Sequence, residues 1–373
     1  METPFLKVAH VTSAHSRFDI RIFQKECKTL AAHGYDVSLV VADGKGDERA
    51  GGVNIVDVGF LRGRLNRMFK TTKMVYKKAA SLQADVYHLH DPELIPVGLK
   101  LKKLGKIVIF DSHEDVPKQI LSKPYLRPIA RRVISFLFSV YERFACRKMD
   151  GILTATPYIR DKFLSINANV VDINNFPLVG ELAADVTWGE KQREVCYVGG
   201  ITSIRGIREV VEGMGLVHTA SRLNLVGNFS EPGVEADVKK KNGWSSVNQC
   251  GQLGRSEVRD ILGRSAAGLV TFYPLPNHVD AQPNKMFEYM SSGIPVIASN
   301  FPLWREIIEG NDCGICVDPL NPQSIADAID FIIENPERAE QMGRNGQKAV
   351  TERYNWDVEG RRLLKFYADL AKG

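Results

Sequence analysis

Residues 278–300, HVDAQPNKMFEYMSSGIPVIASN, decide how the chain is read. They spell a loop, a short helix, a glycine stop and a buried strand. Pro283 suits a first helical turn, Met286, Phe287 and Met290 give an apolar side, Gly293 ends the helix, and Pro295 to Ala298 opens a β-rich run. Two acids bracket the helix start. Asp280 lies on the approach and Glu288 one turn inside, with the first-turn amides between them. Unpaired amides at a helix start attract phosphate. Lys285 in that turn runs against the helix dipole, a mild cost that a bound anion would offset.

Outward from this stretch the same alternation continues. LKVAHVTS is a strand and is followed by a helix over about 19–33; DVSLVVADG is the next strand, then come a turn-rich segment and a basic helix to about Leu82. DVYHLHDPE, KIVIFDSHED, GILTATP and NVVDINN are further strands separated by helices. The run NNFPLVGELAADVTWGEKQ (174–192) mixes turn residues without periodicity and is read as the linker. REVCYVGG, RLNLVGN, SVNQCG, AAGLVTF, IPVIASN and GICVDP then repeat the pattern. Strands alternating with helices predict α/β architecture with doubly wound parallel sheets, here two Rossmann-like domains. The predicted divisions are 1–177, 178–355 and a final helix in 356–373.

The composition, 44% hydrophobic and 25% charged, is that of a folded soluble chain with enough length for two cores. No apolar run is long enough to span a bilayer and the start does not read as a signal peptide, so the chain is expected to stay in the cytoplasm. Six scattered cysteines fit reduced, mostly buried thiols. The pair Cys313 and Cys316 lacks a partner pair for a zinc site.

Charge is uneven. Residues 1–174 carry 28 Lys and Arg against 18 Asp and Glu, and the remainder 21 against 26. Residues 62–78 hold seven basic side chains and no acid, interleaved with Leu65, Met68, Phe69 and Met74 at helical spacing. In 127–148, Arg127, Arg131, Arg132, Arg143, Arg147 and Lys148 flank an apolar run from Val133 to Tyr141. Both segments could lie on an anionic membrane surface or be ordinary solvated faces. Aromatic interleaving of the kind that binds nucleic acid is missing, so no nucleic-acid partner is expected.

Ligands of open parallel sheets sit beyond the carboxyl ends of the strands. In the second half Gly199, Gly200 and Arg205 follow one strand end, Gly227 with Asn228 another, and Gly251 with Gln252 a third; in the first half His15 to Arg17 and His113 to Asp115 occupy such ends. His88, His90 and Asp91 read as structural rather than metal-binding. The chain has no GxGxxG fingerprint, P-loop or DxD motif, which removes support for a bound dinucleotide, P-loop phosphoryl transfer or a carboxylate-held metal.

On HSRFDIRIFQKE, HDPELIPVG, FDSHEDVP, VGGITSIRG and above all QPNKMFEYMSSGIPVIAS, the whole chain resembles the bacterial retaining glycosyltransferases of family four. That resemblance implies the GT-B fold, with two Rossmann-like domains facing across a cleft and a C-terminal helix returning to the first. It implies an acid-x7-acid element at Asp280 and Glu288, the first near the transferred sugar and the second on the ribose; Asp280 departs from the usual Glu. Arg205 matches a residue that contacts the pyrophosphate, and Gly200 stands where a companion Arg is usual, a loss for which Lys285 and the amides from Asn284 onward would compensate. His113 matches the histidine that approaches the donor sugar. The glycine pair many members carry after the first strand is replaced by His15 to Phe18.

The implied chemistry is hexosyl transfer from a nucleoside diphosphate sugar, UDP-linked on family frequency, with retention of configuration and without a metal or other cofactor. Gly227 and Gly251 would leave backbone groups for the base or ribose. The implied acceptor is a lipid-linked or glycan substrate of O antigen, capsule or exopolysaccharide assembly, met at the inner face of the cytoplasmic membrane. A nucleotide-sugar 2-epimerase and a catalytically silent partner subunit are the alternatives.

Overall fold

The computed structural model describes residues 6–123, 126–183 and 186–370. The chain forms two compact units, one of Met1–Asn175 with Glu359–Gly373 and one of Phe176–Val358. Each is a doubly wound sheet.

The first sheet contains β1 (Lys7–Val11), β2 (Asp36–Val41), β3 (Glu48–Ala50), β4 (Val53–Asp57), β5 (Val86–Leu89), β6 (Ile107–Ser112), β7 (Gly151–Thr154) and β8 (Val170–Asp172). Its order is β3-β4-β2-β1-β5-β6-β7-β8, parallel except where β3 meets β4. The chain winds outward from β1 to β3 and then returns to β5 on the other side. The order therefore reverses between β1 and β5, where Val8 pairs with Val86 and His10 with His88. Crevices at such a reversal are where α/β sheets take ligands.

The segment read as turn-rich holds two of these strands. Gly44, Gly46, Gly51 and Gly52 all have positive φ and make the turns, but Val53, Ile55 and Val56 just after them are buried and add β4 beside β2. The helix expected over 19–33 is present as a π-helical turn, Ile20–Cys27, running into Lys28–Ala32; the carboxylate of Asp19 caps it by accepting from the amides of Arg21 and Ile22.

Buried Val11, Leu89, Val108, Phe110 and Ile152 from the strands pack with Val75, Leu101 and Phe163 from the helices. Each such side chain contributes about 1.5–3 kcal/mol by leaving water. The helix Trp356–Leu370 belongs to this unit from Glu359 onward, with Ala371 outside the described residues. Leu363, Phe366 and Tyr367 are buried, and a Cβ on Gly151 would lie 2.5 Å from the Phe366 ring, so the helix seats directly on the start of β7. Its polar side is fixed too: Asn174 N–H donates to Glu359 (2.7 Å) and Arg362 to Asp172 (2.8 Å).

The second sheet contains β9 (Glu194–Val198), β10 (Arg222–Val226), β11 (Val247–Gly251), β12 (Ala267–Val270), β13 (Val296–Ser299) and β14 (Gly314–Val317), in the order β11-β10-β9-β12-β13-β14, all parallel. Here the reversal lies between β9 and β12. The helix Asn284–Ser291 is held against both: Tyr289 lies flat under Gly268 of β12, where a Cβ would come within 2.3 Å of its ring, and its hydroxyl accepts from Val198 N–H at 2.9 Å. Pro283 is the residue before this helix rather than part of its first turn, and Gly293 ends it at φ 71°. Trp304 Nε1 donates to Ala281 O at 2.7 Å and pins the preceding loop.

Candidate active site

At the reversal point of the second sheet two glycines draw the loop after β9 against the loops after β12 and β10. A Cβ on Gly206, at φ 74°, would sit 2.0 Å from Thr271 O, and one on Gly227, at φ 138°, 2.0 Å from Gly199 O. No other residue fits either place. The loop after β9 makes a single 3-10 turn, Ser203–Arg205, and Gly206 then starts the helix Ile207–Met214. Arg205 is folded back so that Nη1 donates to Gly200 O at 3.0 Å, with its guanidinium 5.4 Å from the Phe272 ring.

Lys285 is the unusual member. Its side chain is 8% exposed and its ammonium has no hydrogen-bond partner among the described residues. It lies 3.6 Å above the Tyr197 ring and 5.7 Å from Phe272, against the Gly199 backbone. Burial, reinforced by the nearby Arg205 charge, holds its pKa well below the ordinary lysine value. A desolvated cation over an aromatic ring recovers about 2 kcal/mol, whereas an unpaired buried ion costs several. The rings alone do not balance the cost.

Every buried side-chain nitrogen or oxygen of this unit that lacks a hydrogen-bond partner, among the described residues, lies on the same loops: Thr202 Oγ1, Thr271 Oγ1, Gln282 Oε1 and Lys285 Nζ. Such groups cost about 1–3 kcal/mol each when left unsatisfied. Their clustering marks a place prepared for a polar ligand.

Around this centre the other sequence-predicted residues fall as follows. Asn284 opens the helix and is exposed, and Asp280 is half-buried on the loop before it. Glu288 faces Arg255, whose Nη1 donates to it at 2.8 Å; the rest of that guanidinium grips Glu181 through two bonds of 2.8 and 2.9 Å. Gly251 O accepts from Gly227 N–H at 2.7 Å, and beyond them Asn228 donates to Gln252 at 2.7 Å. Gly200, Arg205, Lys285, Gly227 and Gly251 thus form one connected floor. Sequence reading missed Tyr197, Phe272, Arg255 and Glu181, which carry no motif of their own and meet Lys285, Glu288 and each other only through the fold.

His113 belongs to the first unit, at the carboxyl end of β6. Its Nε2 lies 2.9 Å from Asp111 Oδ2. Asp111, fully buried, also accepts from Arg21 Nε (2.9 Å) and Nη2 (2.8 Å) and faces His90 Nδ1 at 3.3 Å. Although burial opposes its charge, Arg21 and the imidazoles keep its pKa well below the usual carboxylate range. Glu26 beside it is the reverse case: burial and the Asp111 charge push its pKa well up, and neither of its oxygens has a hydrogen-bond partner, Arg21 Nε standing 3.1 Å away. Burial and repulsion thus favour the proton on Glu26, while Arg21 and the imidazoles favour the charge on Asp111.

His10, Glu26, His88 and His90 bring ligand-type atoms within 4.8 Å of one another, as do His90, Asp111 and His113, sets a transition ion could use. The imidazoles are, however, already bonded to each other and to Tyr367. His15 makes a parallel pair with Asp91 (3.0 Å), which also receives Thr12 and Ser13; although burial works against it, the Asp91 carboxylate raises the His15 pKa.

Two doubly wound sheet units with glycine-lined strand ends are the layout that comparison with known proteins identifies as a glycosyltransferase of the GT-B fold. The family follows from comparison with known sequences. Residues 180–349 match the model described as Glycosyl transferases group 1 and residues 21–175 the model described as Glycosyltransferase Family 4. The chain belongs to this family. An uncharacterized glycosyltransferase of Methanocaldococcus jannaschii is 25% identical, with 97% of this chain and 98% of that protein covered. Among solved structures, sucrose-phosphate synthase of Thermosynechococcus elongatus superposes with a TM-score of 0.78 at 19% identity, covering 98% of this chain and 99% of the other. HepE of Anabaena in complex with UDP-glucose does so with a TM-score of 0.72 at 13% identity, covering 98% and 100%.

Proposed function

We propose that this glycosyltransferase moves a hexosyl group from a nucleoside diphosphate sugar, UDP-linked, to a lipid-linked or oligosaccharide acceptor, with retention of configuration and without a metal ion. The observation that carries the reading is the buried, unpartnered ammonium of Lys285 beside Arg205 and the amides that open the Asn284–Ser291 helix. A diphosphate would partner the ammonium that burial leaves without a hydrogen-bond partner there. Arg205, Lys285 and the helix start then stabilise the leaving group as the bond from the anomeric carbon to the phosphate oxygen breaks, work that a divalent cation performs in other transferases. The acceptor oxygen bonds to the same face of that carbon, and its proton passes to the departing phosphate.

Glu288 takes the ribose hydroxyls, with Arg255 holding its carboxylate from one side. Gly200, Gly227 and Gly251 let the backbone approach the nucleotide, Asp280 lies on the sugar side, and His113 of the first unit positions the sugar. HepE, whose structures hold UDP and UDP-glucose, lends support to the donor class.

The acceptor reading draws on the basic segments. Along the helix Pro128–Cys146, Phe136 (68% exposed), Leu137, Val140 and Phe144 face solvent between Arg131, Arg132 and Arg147, and Leu65 and Phe69 do the same within 62–78. Among the described residues no helix is long and apolar enough to cross a membrane. Cationic helices with uncovered aromatic side chains suit the anionic inner surface of the cytoplasmic membrane, where lipid-linked intermediates of O antigen, capsule or exopolysaccharide are extended.

Binding of UDP-, GDP- and other nucleotide sugars to the purified protein in EDTA tests the donor assignment. One family of nucleotide sugars is expected to bind, and Glu288→Ala to weaken it about 10- to 100-fold, the worth of hydrogen bonds to a charged carboxylate. Binding indifferent to Glu288, or no binding, would turn the reading toward a silent partner subunit, and turnover of the nucleotide sugar to its epimer without acceptor would turn it toward a 2-epimerase.

A further inference from the structure

The imidazole cluster of the first unit is larger than sugar contact by one histidine requires, and its hydrogen bonds have a direction. Asp111 is ionised and only accepts, so the nitrogens facing it, His113 Nε2 at 2.9 Å and His90 Nδ1 at 3.3 Å, both carry hydrogen. The 3.4 Å approach of His90 Nδ1 to His113 Nε2 is then two donors converging on one oxygen rather than a bond between rings. Burial keeps His90 neutral, with its pKa lowered to about 4. Its Nε2 is therefore an acceptor and takes the hydrogen of His10 Nδ1 at 2.9 Å. Burial lowers His10 likewise, leaving its Nε2 to face the Tyr367 hydroxyl at 3.4 Å. Tyr367 stands on the C-terminal helix and also meets His88 Nδ1 at 2.8 Å.

From Asp111 through His90 to His10 Nδ1 each nitrogen thus has one role. We infer that Asp111, held by Arg21 and backed by His90, His10 and Tyr367, is a positioning residue that fixes His113 in the Nε2–H tautomer, so that its outward Nδ1 reads a substrate hydroxyl as a hydrogen-bond acceptor. His113 is the exposed end of the chain: its side chain is 21% exposed, and its Nδ1 has no bond partner among the described residues. The ring packs at 5.2 Å against His15, whose Nδ1 faces Asp91 at 3.0 Å. A group that accepts rather than donates selects a hydroxyl over a phosphoryl oxygen. The network would thus make His113 a reader of sugar hydroxyls, and the C-terminal helix a part of its support.

The naming of that hydroxyl as one on the transferred sugar rests on the transferase reading, but the tautomer does not. Long-range proton–nitrogen correlation spectra of the full-length protein, labelled with nitrogen-15 in histidine and free of nucleotide sugar, are expected to show His113 in the Nε2–H form alone. A mixture of tautomers, Nδ1–H, or the doubly protonated ring, whose Nδ1 would donate, overturns the inference whatever the protein binds. Asp111→Asn should convert the single tautomer to a mixture; should loss of the Arg21 partner prevent that variant from folding, the wild-type spectrum still decides. Function is read by a paired substitution. His113→Asn places an amide oxygen close to the position of Nδ1, and His113→Gln places its amide near Nε2. With UDP-glucose as the probe donor, kcat should fall less than about tenfold in the first and about a hundredfold in the second, donor KM staying within about twofold. Equal losses in the two variants would sink the hydroxyl-reading role.

Discussion

The two sheets end in opposite states. Both reverse their strand order at one point, β1 with β5 and β9 with β12, and both gather polar residues there. In the first unit the groups at the strand ends pair closely, Arg21 with Asp111, His10 with His90 and His15 with Asp91, although Glu26 and His88 Nε2 among them lack hydrogen-bond partners among the described residues. In the second, glycines open the floor and Lys285, Thr202, Thr271 and Gln282 are left without partners. A satisfied cluster is rigid and orients what it touches; an unsatisfied one stores affinity for a ligand that completes it. The first arrangement suits a group that must point in one direction, the second a charge that must be bound and released.

The sharpest way to break this contrast is to remove the unpaired cation. Lys285→Met keeps the length and apolar stem of the side chain while deleting the ammonium, and it should lower affinity for UDP about a hundredfold or more, the scale of one charge-assisted contact in a dry site. A proton count sharpens the result. Burial depresses the Lys285 pKa in the free protein, and a bound diphosphate restores the charged form, so wild type should take up a proton on binding UDP at alkaline pH. Calorimetry in buffers of different ionisation enthalpy measures that uptake. Lys285→Met should abolish it, and unchanged uptake would place the titrating group elsewhere.

A second difference is on the outside. The exposed apolar and basic helix Pro128–Cys146 belongs to the first unit. Each basic residue near an anionic surface contributes about 1 kcal/mol, so replacing Arg132 and Arg147 together by Ser should reduce sedimentation with phosphatidylglycerol vesicles about 30-fold. Binding to phosphatidylcholine vesicles should be weak in both proteins. Equal partitioning of wild type and variant into anionic vesicles would remove the membrane from the proposal.

Much of this frame is legible in the chain itself because its causes are local. Runs such as VCYV, AGLV and PVIAS are β-branched and apolar on both sides, as buried parallel strands require, and Gly293 can only stop the helix before it. The pair β3 and β4 escapes the same reading because four glycines and a run of charges surround the short apolar core of VNIVD. The site is legible in its glycines, Arg205 and Glu288, but not in its energetics. That Lys285 is buried depends on Tyr197, far away in the chain, and on Phe272 at the end of the preceding strand, and that Glu288 shares Arg255 with Glu181 depends on three separate segments. Tyr367, 357 positions from His10 in the bond that joins them, has no sequence signal at all.

The smallest effect probes the buried acid that the paired cluster leaves without a hydrogen-bond partner. Glu26 is fully buried, has no hydrogen-bond partner for either oxygen, and shares Arg21 with the ionised Asp111. Burial and the Asp111 charge raise its pKa well above the ordinary 4.5, so the folded protein keeps the Glu26 proton while the unfolded chain releases it. The sign follows directly: the unfolded state binds fewer protons above 4.5, and stability present below that pH is lost as pH rises toward the folded value. Glu26→Gln mimics the protonated side chain and cannot titrate. It should match wild type near pH 4.5 and melt higher at pH 8 by roughly 3–6 °C, equivalent to about 1–2 kcal/mol in a domain of this size. Differential scanning calorimetry across that range reads the divergence. A variant that is less stable at pH 8 would mean that Glu26 is ionised in the fold and that Arg21 serves two carboxylates at once, which would also loosen the hold of Asp111 on His113.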